Sequence, residues 1–282
     1  MVGEIAFQGV EAIVSTTPTY SCGVSLNLNG TVIQISGTVT YQSSLTPLLR
    51  SISPRFGNVV GGDLVTFTGD NFSNDQTAYS ILIDNKTCTI VSATATTVVC
   101  RTASRPGLYP STSLSINIAG QGSVATQGLL FRYCSYWSDG TTWGGESQPI
   151  EGDMIYVPPG LHLLVDVDST PILSAVLVEG SLIFAPNIDP NHQKSFDAHY
   201  IMVDGGYMEV GTEDFPYTSK LTITMHSNKQ SAEIPIYGNK VIAVMNGVLD
   251  MHGIPRYPTW TQLSVTSLPG SRKITLIEAV DW

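Results

Sequence analysis

The sequence predicts an all-β protein, and three of its features carry that prediction. Charged residues make up only 13% of the 282-residue chain, about half the share usual in soluble domains. Thr, Ser, Val, Ile and Gly are abundant instead, and 26 Gly and 16 Pro are spread along the chain, as is typical of strands joined by tight turns. Many stretches also alternate apolar and polar residues with the period of half-buried strands. The hydrophobic fraction of 42% excludes a mostly disordered chain.

The N-terminal part of the chain resembles the second half of a later segment. Ser25–Gly30 matches Ser115–Gly120 about 90 residues further on, and the same offset relates Val39 to Leu129. A repeat of that length suits a β-sandwich module of about 100 residues. We therefore expect residues 1–47 to be the C-terminal part of an incomplete sandwich module. Chance similarity is the alternative.

The next segment has the pattern of a complete module. It opens with Ser51–Pro54, continues through the Gly61-Gly62 turn, and runs along an alternating strand, 64–68, into Gly69-Asp70-Asn71-Phe72. Proline restricts the backbone at the entry, and the glycine pair allows a tight turn. This combination resembles the IPT/TIG domain over residues 49–133. The resemblance implies an immunoglobulin-like sandwich, of the kind found in receptor ectodomains and in some transcription factors.

Two of the four cysteines flank a predicted hairpin of this module. Cys88 and Cys100 bracket two β-branched runs joined by a Ser/Ala/Thr turn, and antiparallel pairing of those runs brings the cysteines within disulfide distance. We expect a Cys88–Cys100 disulfide, which an oxidising compartment permits, with two buried thiols as the alternative. The partners of Cys22 and Cys134 stay open: they are each other, or residues outside this chain.

Beyond residue 133 the pattern changes to short strands on either side of a glycine. Three segments share the order apolar, polar, Gly, polar, apolar: 178–184, 203–210 and 244–251. Recurrence in the same register at uneven intervals is typical of the stacked coils of a parallel β-helix, where insertions leave the coils at their corners. An antiparallel meander of the same strands is the alternative.

A second resemblance covers this half of the chain. Ile150–Gly160, with Trp143-Gly144, the three Gly segments and Thr259–Thr261, is similar to the G8 domain over residues 143–263. The order IPT/TIG then G8 resembles the family of fibrocystin and fibrocystin-L. This resemblance implies a module on the extracellular side of a large membrane-anchored protein. It also leads us to expect that residues 264–282 begin a further β-helix.

Some other G8 proteins degrade hyaluronan, so the resemblance makes binding or processing of a glycosaminoglycan the alternative function. Those relatives carry a large additional region soon after the segment that matches Gly247–Thr261. Here only a short link connects Leu263 to Ile274. The resemblance therefore implies neither enzymatic activity nor a cofactor for this chain, and the sequence contains none of the common nucleophile or metalloprotease motifs.

One predicted strand raises the question of a metal site. Alternation over residues 162–168 puts His162, Leu164, Asp166 and Asp168 on one face. A His and two carboxylates can hold a divalent cation or transfer protons. The alternative is a strand with one buried and one solvated face. No fourth ligand occurs at a recognisable spacing, so we expect no metal site.

A polar insertion between the first two Gly segments contains Asp189, His192, Asp197 and His199. Such a cluster can do acid–base chemistry, but solvated loops gather the same residue types. We expect no catalytic residue here.

Five aromatic residues are candidates for recognition: Tyr136, Trp137 and Trp143 near the boundary between the modules, and Tyr257 and Trp260 beyond the third Gly segment. Aromatic rings with polar neighbours stack on sugars or fill protein hot spots. They serve equally to pack two modules at one angle, and we favour that interpretation.

Charge and glycosylation patterns indicate where the chain works. A formal charge of −10 with only 13 Lys and Arg argues against nucleic acid as a partner. No apolar run reaches the roughly 18 residues that a membrane span needs. Asn29, Asn71 and Asn85 begin N-glycosylation sequons. We therefore expect an extracellular module with a protein or glycan ligand, no nucleic-acid partner and no membrane insertion within this chain.

Overall fold

The protein is described by a computed structural model that covers residues 19–28, 31–42, 45–109 and 112–281. The chain divides into two units, residues 1–133 and 134–282. Each unit contains its own cluster of buried hydrophobic side chains. Apart from two short 3₁₀ turns, Gln76–Ala78 and Gly140–Trp143, the regular structure of the described residues is β-strand, which confirms the predicted all-β class.

Unit 1 starts, in its described part, with a long antiparallel hairpin. Its strands are β1 (Thr19–Leu28) and β2 (Thr31–Gln42), and their register shifts between Gly23 and Val24. Residues 1–18 lie outside the described residues. The interpretation of residues 1–47 as part of an incomplete sandwich therefore stays a prediction.

The rest of unit 1 is a sandwich of two antiparallel sheets, each with four strands. In spatial order, one sheet contains β3 (Leu48–Ser53), β5 (Leu64–Asp70), β9 (Thr97–Arg101) and β8 (Thr89–Ala93). The other contains β11 (Gly122–Ser123), β10 (Leu114–Ile118), β6 (Tyr79–Ile83) and β7 (Lys86–Thr87). Two further strands are β4 (Phe56–Asn58) and β12 (Arg132–Tyr136), whose residues from Cys134 onward belong to unit 2.

Alternation along the strands decides which side chains enter the sandwich core. Val65 and Phe67 of β5 are fully buried, and Ile81 and Ile116 are buried in the same cluster from the other sheet. The neighbours of Val65 along β5 are exposed or half-buried. One face of β5 is therefore in the core and the other faces solvent, as the period of two predicts.

The Gly-x-x-Phe motif at the end of β5 has a steric cause. A Cβ atom on Gly69 would lie within 3.0 Å of the Leu48 carbonyl oxygen and of the Phe72 ring. Phe72 is buried and its ring makes an edge contact with Tyr79. The glycine is required because the phenylalanine folds back over it to close this end of the core.

Cys88 and Cys100 form a disulfide. Strands β8 and β9 pair antiparallel, as expected, with Thr89 opposite Arg101. The Cys88 N–H group, however, donates a 2.9 Å hydrogen bond to the Ile81 carbonyl of the other sheet. The chain changes sheets between Cys88 and Thr89. The Cys88–Cys100 disulfide therefore joins the two sheets rather than two strands of one hairpin.

Unit 2 is a stack of coils whose strands pair in parallel, which confirms the β-helix and is incompatible with a meander. One face contains β13 (Met154–Val157), β15 (Ala175–Val178), β18 (Tyr200–Asp204) and β21 (Val241–Met245). The second contains the end of β12, then β14 (His162–Val165), β16 (Ser181–Phe184), β19 (Tyr207–Val210) and β22 (Val248–Met251). A third, shorter face contains β17 (Gln193–Ala198) and β20 (Lys220–Met225).

These strands define four successive coils. Coil 1 contains β13 and β14; coil 2 contains β15, β16 and β17; coil 3 contains β18, β19 and β20; coil 4 contains β21 and β22. The loop after β14 belongs to coil 1 and reaches the third face through isolated parallel bridges of Ser169 with Ser195 and of Leu173 with Ala198.

The recurring glycines of the sequence lie at one corner of the stack. Gly180, Gly206 and Gly247 each separate a strand of the first face from a strand of the second. A Cβ atom on Gly206 would lie within 3.0 Å of the carbonyl oxygens of Val178 and Gly180, and one on Gly247 within 3.0 Å of the Gly206 carbonyl oxygen. The corners of consecutive coils approach too closely for any side chain.

In-register pairing aligns the inward side chains in columns. One column runs through Leu163, Leu182, Met208 and Leu249. The first three are fully buried, whereas Leu249 in coil 4 is exposed. The described residues after Met251 form no strand and contain a single antiparallel bridge that pairs Leu263 with Leu276.

Candidate functional site

The residues proposed as a possible metal site do not converge. Strand β14 ends at Val165, and Leu164 is only 3% exposed, so the expected alternation with a solvated face is wrong. Asp166 and Asp168 instead lie in the loop after the strand. In the part of the chain that the structure describes, no group of three or more His, Cys, Asp or Glu side chains is arranged to hold a metal ion.

Each of those two carboxylates has a local partner. Asp166 accepts hydrogen bonds from the Ser138 backbone N–H at 2.9 Å and from the Ser138 hydroxyl at 2.5 Å. The Oδ1 atom of Asp168 lies 2.7 Å from Nε2 of His192. These carboxylates therefore tie loops to neighbouring parts of unit 2.

The polar insertion is also divided among structural contacts. Asp189 accepts a 2.9 Å hydrogen bond from the Asn191 N–H group, within its own loop. Asp197 bonds His226, with 2.8 Å between Oδ1 and Nε2. The His199 carbonyl accepts a 2.7 Å hydrogen bond from the Ser227 hydroxyl.

Sequence reasoning missed His226 and Ser227 as partners of the polar insertion. They directly follow β20, which pairs in register with β17 and so places Met225 opposite Ala198. Only the register of the third face could have revealed them, since the sequence separations are 29 and 28 residues.

Four polar pairs share one geometry, because each joins consecutive coils. Asp168 with His192 and Tyr156 with Glu179 join coils 1 and 2, and the latter pair has a 2.5 Å hydrogen bond from the hydroxyl. Asp197 with His226 joins coils 2 and 3. Tyr207 donates a 2.7 Å hydrogen bond to Asp250 and joins coils 3 and 4. In-register parallel strands place equivalent positions side by side, so such pairs act as rungs between coils.

Lys194 is a buried cation within this stack. It lies on the same buried face of β17 as Phe196, two positions further along the strand, and its Nζ atom donates a 3.3 Å hydrogen bond to the Asp166 carbonyl. Burial lowers the pKa of the Lys194 ammonium group, while the nearby carboxylates of Asp168 and Asp166 oppose that shift. The carboxylates thereby offset part of the cost of burying this charge.

Two of the candidate recognition aromatics belong to the core of unit 2. Trp137 is 1% exposed and its ring makes edge contacts with Trp143 and Phe196 at centroid distances of 5.1 and 6.1 Å. The half-buried Trp143 donates a 2.8 Å hydrogen bond from Nε1 to the Trp137 carbonyl. These two rings therefore pack within unit 2, and the favoured interpretation, that aromatic residues near the module boundary fix the angle between two modules, stays a prediction.

Tyr257 and Trp260 are exposed, at 73% and 69% respectively. They belong to a stretch that we call the aromatic segment, residues 254–277. Its backbone near Tyr257 is held by Asp281, which accepts a 3.1 Å hydrogen bond from the Tyr257 N–H group. The segment also exposes six aliphatic side chains: Ile254, Leu263, Val265, Leu268, Ile274 and Ile277. Exposed apolar groups mark a surface for interaction where they form a contiguous patch, which makes this segment a candidate for one.

The remaining predicted positions are the asparagines of the three sequons and the two cysteines outside the disulfide. Asn71 is half-buried and Asn85 is exposed, whereas Asn29 lies outside the described residues. Cys134 is buried; nothing is described of the Cys22 side chain, so the pairing of these two cysteines stays open. No helix among the described residues is long and apolar enough to cross a membrane.

Two family models match the chain. The model of the IPT/TIG domain matches residues 47–133, and that of the G8 domain matches residues 142–264. The first corresponds to the sandwich of unit 1 and the second to the stacked coils of unit 2.

Curated relatives match almost the whole chain but are far longer. Fibrocystin-L of Homo sapiens is 36% identical over 265 residues, which is 93% of this chain and 6% of the relative. Fibrocystin of Canis lupus familiaris is 33% identical over 72% of this chain and 5% of its own length. The chain thus spans only a small fraction of the relatives that it matches.

Among solved structures, the full extracellular region of plexin A4 matches with a TM-score of 0.28 and 20% identity, over 31% of this chain and 10% of that one. A likeness at this score carries no argument about fold or function. The domain order and the identity over nearly the full length of the chain do carry one: the chain belongs to the family of IPT/TIG- and G8-containing proteins that includes fibrocystin and fibrocystin-L.

Proposed function

We propose that this chain is a non-catalytic, extracellular structural and interaction module of a receptor-like cell-surface protein. In this proposal the coil stack of unit 2 is a rigid support, and the aromatic segment is presented to an extracellular ligand. One contrast carries the proposal. Two His–Asp pairs of the candidate cluster, Asp168–His192 and Asp197–His226, form rungs between coils, whereas Tyr257 and Trp260 are open to solvent.

The energetics of the two regions support this division. Rungs such as Asp197–His226 and Tyr207–Asp250 join one coil to the next and restrict the movement of the coils relative to each other. The aromatic segment keeps its large side chains exposed, which costs hydrophobic stabilisation that burial against a partner would recover. Tyr and Trp are also the side chains that most often dominate the binding energy of an interface.

The family supports an extracellular setting, and the last coil supports continuation of the stack. Val244, Leu249 and Met251 occupy inward positions of coil 4 yet are exposed. Further coils stacked on β21 and β22 would cover them, which favours the expectation that residues 264–282 begin a further β-helix and limits the proposed ligand surface to the part of the aromatic segment that contains Tyr257 and Trp260.

A glycan ligand is the second candidate, and the exposed rings of Tyr257 and Trp260 favour it over other non-protein ligands. Aromatic faces with polar neighbours stack on sugar rings. In this second candidate function the chain binds a glycan. If the chain also shortens a bound glycosaminoglycan, its function is to process that ligand.

The test uses the chain secreted from animal cells and assembled into fluorescent tetramers that are applied to intact cells. The variant is Tyr257→Ala/Trp260→Ala, and Tyr109→Ala, whose side chain is 68% exposed in unit 1, is the matched control. We expect cell binding to fall at least about tenfold in the double variant, as for hot-spot residues, and to be unchanged in the control. Equal binding by all three proteins would overturn the role of the aromatic segment.

Two treatments separate the ligand classes. Loss of binding after mild protease treatment of the cells indicates a protein ligand, and loss after hyaluronidase or heparinase indicates a glycan. Incubation with hyaluronan, in Ca²⁺ and again in EDTA, tests the absence of catalysis. Shortening of the hyaluronan chains in either condition would overturn the non-catalytic proposal.

A further inference from the structure

The β6–β7 turn presents one sequon in an open position. Asp84 and Asn85 form this two-residue turn and both have left-handed backbone angles, with φ of 49° and 57°. Asn adopts this conformation more readily than most residues, so the turn itself suits an asparagine. Asn85, Lys86 and Thr87, the whole Asn-x-Thr pattern, are exposed. A bulky group attached to Asn85 meets no packed element.

Asn71, the start of a second sequon, is in the opposite situation. It is half-buried, and its Nδ2 atom, the atom that N-glycosylation modifies, donates a 2.9 Å hydrogen bond to the Thr46 carbonyl. The Asn71 carbonyl accepts a further 3.2 Å hydrogen bond from Nε2 of Gln121. The middle residue of this sequon, Phe72, is buried against Gly69. A sugar on Asn71 would have to fit into the half-buried space around Nδ2 and would leave that atom a single N–H group for its contact with Thr46.

We propose, relying on the extracellular setting proposed above, that Asn85 carries an N-linked glycan and that Asn71 does not. In the transfer, Nδ2 of Asn85 forms a bond to the anomeric carbon of an oligosaccharide carried on a lipid diphosphate. The bond from that carbon to the diphosphate oxygen breaks, the lipid diphosphate leaves, and Nδ2 loses one proton. The lipid-linked donor is supplied by the secretory pathway, and no oxidant or reductant is needed.

The position of Asn85 gives the glycan a physical role. Strand β7 is the outermost strand of its sheet, next to β6. The outer edge of such a sheet can pair with another chain unless it is protected. A hydrated glycan at the end of β7, beside the exposed Lys86, covers this edge and confines ligand binding to other surfaces.

The experiment removes the sequons at Asn71 and Asn85 without touching their asparagines, since the left-handed backbone at both positions would strain a replacement. The full chain is secreted from animal cells with Thr87→Ala, Thr87→Ser or Ser73→Ala, each also combined with Asn29→Gln to remove the third sequon. Occupancy is read from the intact mass and from peptides after enzymatic deglycosylation in heavy-oxygen water, which labels the asparagines that carried sugar.

We expect the Asn29→Gln protein to carry one glycan, labelled at Asn85. In this background, Thr87→Ala removes the mass of the glycan from the protein. Thr87→Ser and Ser73→Ala both retain the mass of the glycan. A label at Asn71, or no label at Asn85 in a secreted and folded protein, overturns the proposal. Cell binding is repeated on deglycosylated protein, so a failure of ligand binding and an error in site assignment are distinguishable.

Discussion

Asp197 in β17 and His226, the residue after β20, are joined by a 2.8 Å contact between Oδ1 and Nε2 that links coils 2 and 3. Both side chains are largely buried, with 18% of Asp197 and 29% of His226 exposed. The pair shows how groups suited to acid–base chemistry serve here to hold one coil against the next.

Removal of this rung is expected to destabilise the coil stack. His226→Ala leaves the Asp197 carboxylate with one partner fewer, so we expect the free energy of unfolding to fall by about 1 kcal/mol. The measurement is urea unfolding followed by tryptophan fluorescence. His192→Ala is the control, because its partner Asp168 is 68% exposed and such surface pairs typically contribute only about 0.2–1 kcal/mol. Equal effects of the two substitutions would contradict the role of the buried rung.

A substitution at the corner glycine Gly206 tests steric crowding alone, because Gly206 does not have a left-handed backbone conformation. Gly206→Ala places a Cβ atom within 3.0 Å of the carbonyl oxygens of Val178 and Gly180, so we expect a loss of about 2–3 kcal/mol of stability. Gly253→Ala is the matched control, since its Cβ atom would have nothing within 4 Å. Thermal unfolding of both variants makes the comparison, and a neutral Gly206→Ala would refute the direct stacking of corners.

The cross-sheet disulfide predicts a redox-dependent stability of unit 1. Cys88 and Cys100 are separated by 12 residues, and a loop of this size corresponds to about 2–4 kcal/mol of stabilisation when closed. We expect Cys88→Ala/Cys100→Ala to lose that amount in urea unfolding. Reductant should destabilise the original protein by a similar amount and leave the variant unchanged. Equal sensitivity of both proteins to reductant would assign the effect to another site.

Tyr133 predicts a loss of stability at high pH. Burial, followed by the negative charges of Asp84 and Asp63, raises the pKa of its phenol from 10.0 to about 12. The Tyr133 phenol loses its proton near pH 10 in the unfolded chain but only near pH 12 in the folded chain. The stability that this difference contributes is therefore complete below pH 10 and is lost as pH rises to about 12. Tyr133→Phe should flatten the fall of unfolding free energy over this window, with the exposed Tyr109→Phe as the control. If the free energy of unfolding falls with pH equally steeply in Tyr133→Phe and in the original protein, this role of Tyr133 is wrong.

Much of the fold was predictable because it depends on local patterns. The period of two in β5, with Val65 and Phe67 buried, follows directly from strand geometry. The glycines at 180, 206 and 247 marked the corners of the β-helix, since only a residue without a side chain fits that contact. The motif that ends in Phe72 carried the resemblance to the IPT/TIG domain, and the structure gives it a steric cause, since the Phe72 ring lies against Gly69.

The candidate site was less predictable, because partners come from different coils. Alternation placed Leu164 on a solvated face, but it is buried, and β14 ends before Asp166 and Asp168. Trp137 and Phe196 are distant in sequence and meet only when the coils are stacked. Aromatic rings of the core and of a binding surface have the same local signature, so burial alone separates Trp137 from Trp260.

The sequence by itself determined the all-β class and the cysteines of the disulfide, because strand periodicity, turn glycines and short sequence spacing are local properties. The two domain types followed from the resemblance of its motifs to known families. Tertiary structure decided which polar residues pair and which aromatic rings stay exposed. It also decided that the disulfide crosses between sheets, since the path of the chain at Cys88 depends on hydrogen bonds to β6. Contacts between coils depend on register across insertions of unequal length, and register is a property of the assembled stack.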